Sequence, residues 1–181
     1  MRKNKAFTLI ETLIAVTLTT VVLTAVTGLI LSTMLANQRN LHTVQALYYA
    51  KESLEAVRFM RDSNWLQNYS WDGGAELWQA DFHVNESRSE KEFYLGSYSV
   101  CSAGNPCFYF STDETDGTVA NANGFSFVRK IVLNTVPDES APSKVRENSV
   151  QVSAVVSWEE RGKSKDVTLS TYLTDWQGSK L

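Results

Sequence analysis

The sequence predicts an α+β fold in which one long N-terminal helix packs, through its C-terminal half, on a small antiparallel β-sheet. Residues 1–6 form a short basic head, and residues 7–36 form an apolar run typical of a membrane helix. Residues 37–62 continue at helical spacing, with apolar side chains on one face. Residues 63–181 contain alternating strands separated by turn residues, which indicates a β-rich globular domain.

The apolar run is long enough to cross a membrane. No charged residue occurs between Glu11 and Arg39, and a bilayer core requires about 20 apolar residues. Arg2, Lys3 and Lys5 precede the run. Because positive charge is retained on the cytoplasmic side, the sequence predicts a single-pass protein with its C-terminus outside.

Glu11 is the acidic residue at the start of this run. A carboxylate in a spanning segment costs roughly 2.5–3.5 kcal/mol at the centre and less near the interface, so such residues are usually functional and paired. Position alone leaves two interpretations open. Glu11 is a paired functional group, or it lies at the level of the lipid headgroups, where it costs little.

The segment Lys5–Val16, KAFTLIETLIAV, resembles the N-terminal signal of type IV prepilins and type II secretion pseudopilins. In that family a short basic leader is removed just before a Phe, the new amine is N-methylated, and the fifth mature residue is a glutamate. The resemblance implies cleavage between Ala6 and Phe7, methylation of Phe7 and a role in assembly for Glu11. Residues 1–6 are then the leader. The family usually has Gly where this chain has Ala6.

The resemblance further implies a minor pilin or pseudopilin, a structural subunit of a type IV pilus-like or type II secretion filament. Its expected partners are other such subunits, prepilin peptidase, the inner-membrane assembly platform and, before assembly, membrane lipid. Its expected location is the inner membrane and then an extracellular filament. The main alternative is a bitopic, adhesin-like surface protein held by an uncleaved helix. A conventional cleaved signal would be shorter and end at a small-x-small site.

Composition gives no indication of an enzyme or of nucleic-acid binding. The chain has 17 Lys+Arg and 20 Asp+Glu, a net charge of −3, so no basic surface is predicted for nucleic acid. Its two histidines lie beside no serine or cysteine nucleophile motif, and it has no Gly-rich phosphate loop. We therefore expect a structural protein.

Two further features carry local predictions. Cys101 and Cys107 frame a short loop, and in an oxidising compartment such a pair predicts a disulfide, with two free thiols as the alternative.

No cofactor is predicted for this chain. The alternative is that the acidic turn Asp113–Gly117 binds calcium through Asp113 and Asp116. The spacing of its acidic residues does not match an EF-hand, and no metal site is predicted elsewhere.

The periodicity places the individual elements. The helix is expected to end near Asp62 with a sheet-facing stripe of Leu47, Ala50, Leu54, Val57 and Arg61. Strands are expected at 93–100, 107–111, 125–133, 149–158 and 167–173, with a turn at Arg161–Lys163 and a loop at 137–142. The aromatic residues Trp65, Tyr69, Trp71 and Trp78 are predicted to fill a core or interface, with sugar or base stacking as the alternative.

Overall fold

A computed structural model describes residues 8–66, 70–71, 90–97, 107–121, 124–138 and 141–176. The chain divides into two compact units, Met1–Thr43 and Val44–Leu181. Several of the sequence predictions fall on residues outside the described part: those for the leader, Phe7, Tyr69, Trp78 and Cys101.

The helix α1 runs from Leu9 to Leu66 and has 58 residues. It ends four residues beyond the predicted end at Asp62, because the buried face continues for another turn through Ser63 and Asn64. The Asn64 side-chain amide donates a hydrogen bond to the Trp71 carbonyl at 3.4 Å. Neither Gly nor Pro follows Asp62 to stop the helix there.

Within the second unit, α1 packs on the sheet through a narrow face of small and medium side chains. The buried positions of this face are Ala46, Ala50, Ser53, Leu54, Ala56, Val57, Met60, Ser63 and Asn64. The sequence prediction was wrong for Leu47, which is 39% exposed, and Arg61 lies beside the face rather than in it. Ala46 is buried instead of Leu47, because its small side chain lets the helix approach the sheet closely. Hydrophobicity alone favours the larger Leu47.

The described residues form a sheet of six antiparallel strands, which confirms the predicted α+β class. They are β1 (Glu90–Ser97), β2 (Phe108–Ser111), β3 (Thr118–Ala120), β4 (Ser126–Asp138), β5 (Ala141–Glu160) and β6 (Lys163–Thr174). Their order across the sheet is β2-β1-β4-β5-β6, and β3 pairs with β4 beyond the end of β1. Strands β1 and β2 pair in antiparallel fashion, with Tyr94 opposite Ser111 and Ser97 opposite Phe108.

The hairpin of β5 and β6 is the part of the sheet that the sequence describes best. Its turn residues Arg161 and Gly162 have φ angles of 55° and 71°, as a two-residue hairpin turn requires. Alternate residues of β5 face the core as predicted, and all five are buried: Val150, Val152, Ala154, Val156 and Trp158.

The prediction of a loop at 137–142 is wrong for most of these residues. Strand β4 continues to Asp138 and β5 begins at Ala141, with Pro137 opposite Val145. The register shifts between Thr135 and Pro137. Proline has no N–H to donate, and a sheet accommodates it at such an irregularity instead of ending the strand.

Among the described residues, Arg129 is the largest fully buried side chain, and no sequence pattern indicated its burial. It lies on the core face of β4 between Phe127 and Ile131 and is 2% exposed. Its Nη2 atom donates to the Leu95 carbonyl oxygen at 3.0 Å, which ties β1 to β4. The sequence pattern placed Arg129 in a strand but could not reveal that it faces inward.

The charge of Arg129 is only partly balanced inside the domain. Its Nη1 atom lies 3.7 Å from Oε1 of Glu52 on α1, and its buried Nε atom has no hydrogen-bond partner in the described part of the chain. Burial lowers the pKa of Arg129, and the nearby Glu52 carboxylate acts in the opposite direction. Arg129 therefore joins helix, β1 and β4 through one side chain.

We predict that Arg129→Ala lowers the free energy of unfolding by about 2–4 kcal/mol, because it leaves a cavity and removes the donor to the Leu95 carbonyl. The neighbouring variant Lys130→Ala is the control. It removes a surface ion pair with Glu92, so its expected cost is below about 1 kcal/mol. Denaturation of the full-length chain in detergent, followed by Trp fluorescence, measures both. Equal losses for the two variants would contradict the role given to Arg129.

Candidate functional site

From Leu9 onward, the described part of the N-terminal unit is helix, and its apolar side chains are exposed. In the described part of the chain, every side chain from Thr8 to Leu41 is exposed, whether it is charged, polar or apolar. Leu9 is 83% and Leu29 is 68% exposed. By length and composition, α1 is the one helix in the described part of the chain that could cross a membrane. Such a surface requires lipid or other protein around it.

The hydroxyl groups of this helix are satisfied within it. Each serine and threonine side chain between Leu9 and Thr43 donates to a backbone carbonyl three or four residues earlier, at 2.7–3.0 Å. These residues are Thr12, Thr17, Thr19, Thr20, Thr24, Thr27, Ser32, Thr33 and Thr43. Because the hydroxyls have partners on their own helix, they are compatible with a surrounding that contains no water.

Glu11 lies in the first turn of α1. Its backbone N–H donates to the Thr8 carbonyl at 3.0 Å, and that of Thr12 donates to the same carbonyl at 3.3 Å. The helix therefore begins immediately before Glu11 and presents the carboxylate at its positive end, where a negative charge is favoured. No other charged residue follows before Arg39.

The family model for the prokaryotic N-terminal methylation motif matches residues 1–27. The chain carries a class III prepilin signal. This is the signal of type IV pilins and pseudopilins, and the match contains Ala6, Phe7 and Glu11. No curated protein and no solved structure matches the chain.

The prepilin signal and the exposed helix support a pilin-like or pseudopilin precursor with a membrane-anchoring N-terminal helix. The motif points to a structural subunit rather than an enzyme. It implies processing by prepilin peptidase and assembly with other pilin subunits. The α+β fold, with one long helix before an antiparallel sheet, is consistent with a pilin fold.

The predicted processing and disulfide sites reach beyond the described residues. Ala6 and Phe7 precede the described part, so their roles in cleavage and methylation stay predictions for this chain. Cys107 lies directly before β2, whereas Cys101 lies outside the described part. The Cys101–Cys107 bond therefore also stays a prediction.

The acidic turn forms a short 3-10 helix, Glu114–Gly117, and two of its acidic residues shape it. Asp113 Oδ1 accepts hydrogen bonds from the Thr115 backbone N–H at 2.9 Å and from the Thr115 hydroxyl at 2.8 Å. These two bonds, the backbone one first, lower the pKa of Asp113. The Ser111 hydroxyl donates to Asp116 Oδ2 at 2.6 Å. Calcium at Asp113 and Asp116 stays an untested alternative to the prediction of no cofactor.

The described aromatic residues divide between the core and its edge. Trp71 belongs to the hydrophobic core, as predicted. Trp65 has its ring 5.3 Å from that of Trp176, edge to face, and the Arg61 guanidinium lies 4.8 Å from the Trp65 ring centroid. Trp176, which follows β6, was not singled out from the sequence, because nothing in the local pattern links it to the end of α1.

We predict that the mature protein begins at Phe7 and carries one N-methyl group, which mass spectrometry of the N-terminal peptide measures directly. The matched variant Ala6→Gly restores the residue usual before the cut, and we expect it to be processed at least as completely, because glycine is the smaller residue. Leader retained in both proteins would contradict processing and favour the bitopic protein with an uncleaved helix.

Proposed function

We propose that this chain is a minor pilin or pseudopilin, a structural subunit that leaves the inner membrane and enters a type IV pilus-like or type II secretion filament. The observation that carries the proposal is the exposed apolar helix with Glu11 in register with the methylation motif. The basic residues Arg2, Lys3 and Lys5 favour a cytoplasmic N-terminus and a C-terminal domain outside.

The exposed apolar surface of the helix is compatible with a subunit that moves from lipid into a filament of packed helices. In the membrane, lipid covers the side chains from Leu9 to Leu35. In a filament, the helices of neighbouring subunits cover them. The internal hydrogen bonds of the threonine hydroxyls persist in both environments, so transfer between them does not require those groups to find new partners.

Glu11 supplies the interaction that differs between the two environments. Cleavage before Phe7 creates an amine, and in the filament Glu11 pairs with that amine of a neighbouring subunit. Two unit charges about 4 Å apart gain roughly 4 kcal/mol at an effective dielectric constant of about 20, before the desolvation costs are subtracted. A pair of this kind selects one register between adjacent helices, while the apolar side chains supply the contact area.

The remaining parts of the chain follow from this assignment. Residues 1–6 are the leader, residues 7–36 the helix of membrane and filament core, and residues 37–62 its amphipathic continuation. Residues 63–181 form the domain that the filament displays. The partners are prepilin peptidase, the assembly platform of the inner membrane, membrane lipid and other filament subunits.

We predict that Glu11→Ala leaves membrane insertion unchanged but lowers recovery in the filament fraction by at least about tenfold, since the paired charge is lost. Glu11→Gln, which keeps the side-chain length, should behave like Glu11→Ala. Glu114→Gln is the control, because Glu114 is an exposed carboxylate of the outer domain. Immunoblots of membrane and sheared filament fractions measure the distribution. Equal recovery of Glu11→Ala and wild type would refute the role of the carboxylate.

A further inference from the structure

Strand β6 lies at the end of the sheet order and has a long edge. It pairs with β5 along its whole length, from Lys163 opposite Glu160 to Thr174 opposite Ser149. In the described part of the chain, no strand pairs with its other side. The opposite end of the sheet differs, because β2 has only four residues against the 12 of β6.

The register identifies which backbone groups point out of this edge. Asp175 lies opposite Asn148 in the continuation of the β5–β6 ladder, and its N–H donates to the Asn148 carbonyl at 3.0 Å. Hydrogen-bonded and non-hydrogen-bonded pairs alternate in an antiparallel ladder. The odd-numbered residues of β6 therefore direct their N–H and C=O groups to β5. The even-numbered residues, which include Thr168, Ser170 and Tyr172, direct theirs outward.

The composition of this edge lacks the features that protect edges from pairing. Residues 167–174, VTLSTYLT, contain no charged residue, no proline and no glycine. The charged residues Lys163, Lys165 and Asp166 are confined to the turn end, and Lys165 forms an ion pair with Glu160. Natural proteins shield long edges with charges, prolines, bulges or covering segments. An uncharged, β-branched edge of this length fits an added strand.

We propose that β6 accepts an extended strand from a different subunit of the filament, so that the sheet continues across the subunit boundary. The inference rests on the proposed function and names the kind of contact that the outer domain makes. The ligand chemistry is that of a backbone: alternating N–H and C=O groups of an extended segment of about six to eight residues satisfy the outward groups of β6.

A second copy of this chain fits the edge less well than a different subunit. If copies pair head to tail, the strand that meets β6 is β2, which covers only four residues. Pairing of β6 with β6 of another copy in antiparallel fashion reverses the chain direction between the two. Subunits that leave one membrane in one orientation share their direction, so this arrangement does not extend along a filament.

The helix lies close to the inner side of this edge. The Arg58 Nη2 atom donates to the Thr171 hydroxyl at 3.1 Å, and the side chain of Tyr172 on the opposite face is exposed. A strand added to β6 therefore places alternate side chains beside Arg58 and beside Tyr172. The inner side chains of the added strand lie beside the Arg58 guanidinium, which favours uncharged or acidic residues there.

Hydrogen exchange tests the proposal residue by residue. The full chain is compared as a detergent-solubilised monomer and in purified filaments. We expect the amides of Thr168, Ser170 and Tyr172 to exchange at least about tenfold more slowly in the filament, because a backbone hydrogen bond protects an amide until it opens. The amides of Leu169 and Thr171 should be protected in both samples and serve as internal controls.

Substitution of one outward group gives an independent test. Ser170→Pro removes an outward N–H and leaves the ladder to β5 intact, as prolines in edge strands do. We expect it to lower recovery in filaments roughly three- to tenfold, the range for loss of one backbone hydrogen bond, with thermal unfolding close to that of wild type. Ser170→Ala retains the N–H and should behave like wild type. If Ser170→Pro does not fold, Thr168→Pro tests the same outward hydrogen-bonding edge at a second position.

The outcomes separate this inference from the proposed function. A chain that is present in filaments but has fast-exchanging even-numbered amides, or that tolerates both proline variants, overturns the strand contact and leaves the filament role standing. A chain absent from filaments overturns both. Self-association of the purified chain in detergent that Ser170→Pro abolishes would identify the occupant as a second copy and overturn the assignment to a different subunit.

Discussion

About the first thirty residues of α1 form an apolar helix, and contact between its side chains and water is unfavourable. At roughly 25 cal/mol per Å² of apolar surface, exposure of such a helix to water is far more costly than any single polar contact can offset. The helix therefore remains in lipid or among other helices throughout the life of the protein. Glu11 is the one charged group inside this surface before Arg39, and so the one that can distinguish between the two apolar environments.

The outer domain uses the same helix in a different way. From Ala46 onward, α1 lies on the sheet through a face of small and medium side chains, and its exposed side mixes charged residues with apolar ones such as Tyr48 and Phe59. Arg129 adds a buried cation that contacts β1 through the Leu95 carbonyl and approaches Glu52 on the helix. One continuous helix thus provides an anchor in the N-terminal unit and one layer of the core in the other.

The sequence predicted the helices and strands whose apolar residues follow a simple period. The predictions failed where contacts between residues far apart in the chain determine the structure. The alternation of Val150 to Trp158 and the turn at Arg161 appear in the structure as predicted. The inward direction of Arg129 and the contact between Trp65 and Trp176 depend on the pairing of strands far apart in the chain. Pro137 was read as the start of a loop because its effect on a strand depends on whether the partner strand shifts register. In the candidate functional site, the motif around Glu11 could be recognised from the sequence because its residues are contiguous.

A zero-length cross-link detects the proposed contact between Glu11 and the terminal amine of another subunit. An apolar carbodiimide enters a water-free helix core and joins a carboxylate to an amine in contact with it. We expect a peptide in which Glu11 of this chain is covalently linked to the N-terminal N-methylphenylalanine of a neighbouring subunit, present in filaments and absent from membranes. Linkage of Glu11 to lipid headgroup amines alone, or no linkage in filaments, would contradict the proposed contact.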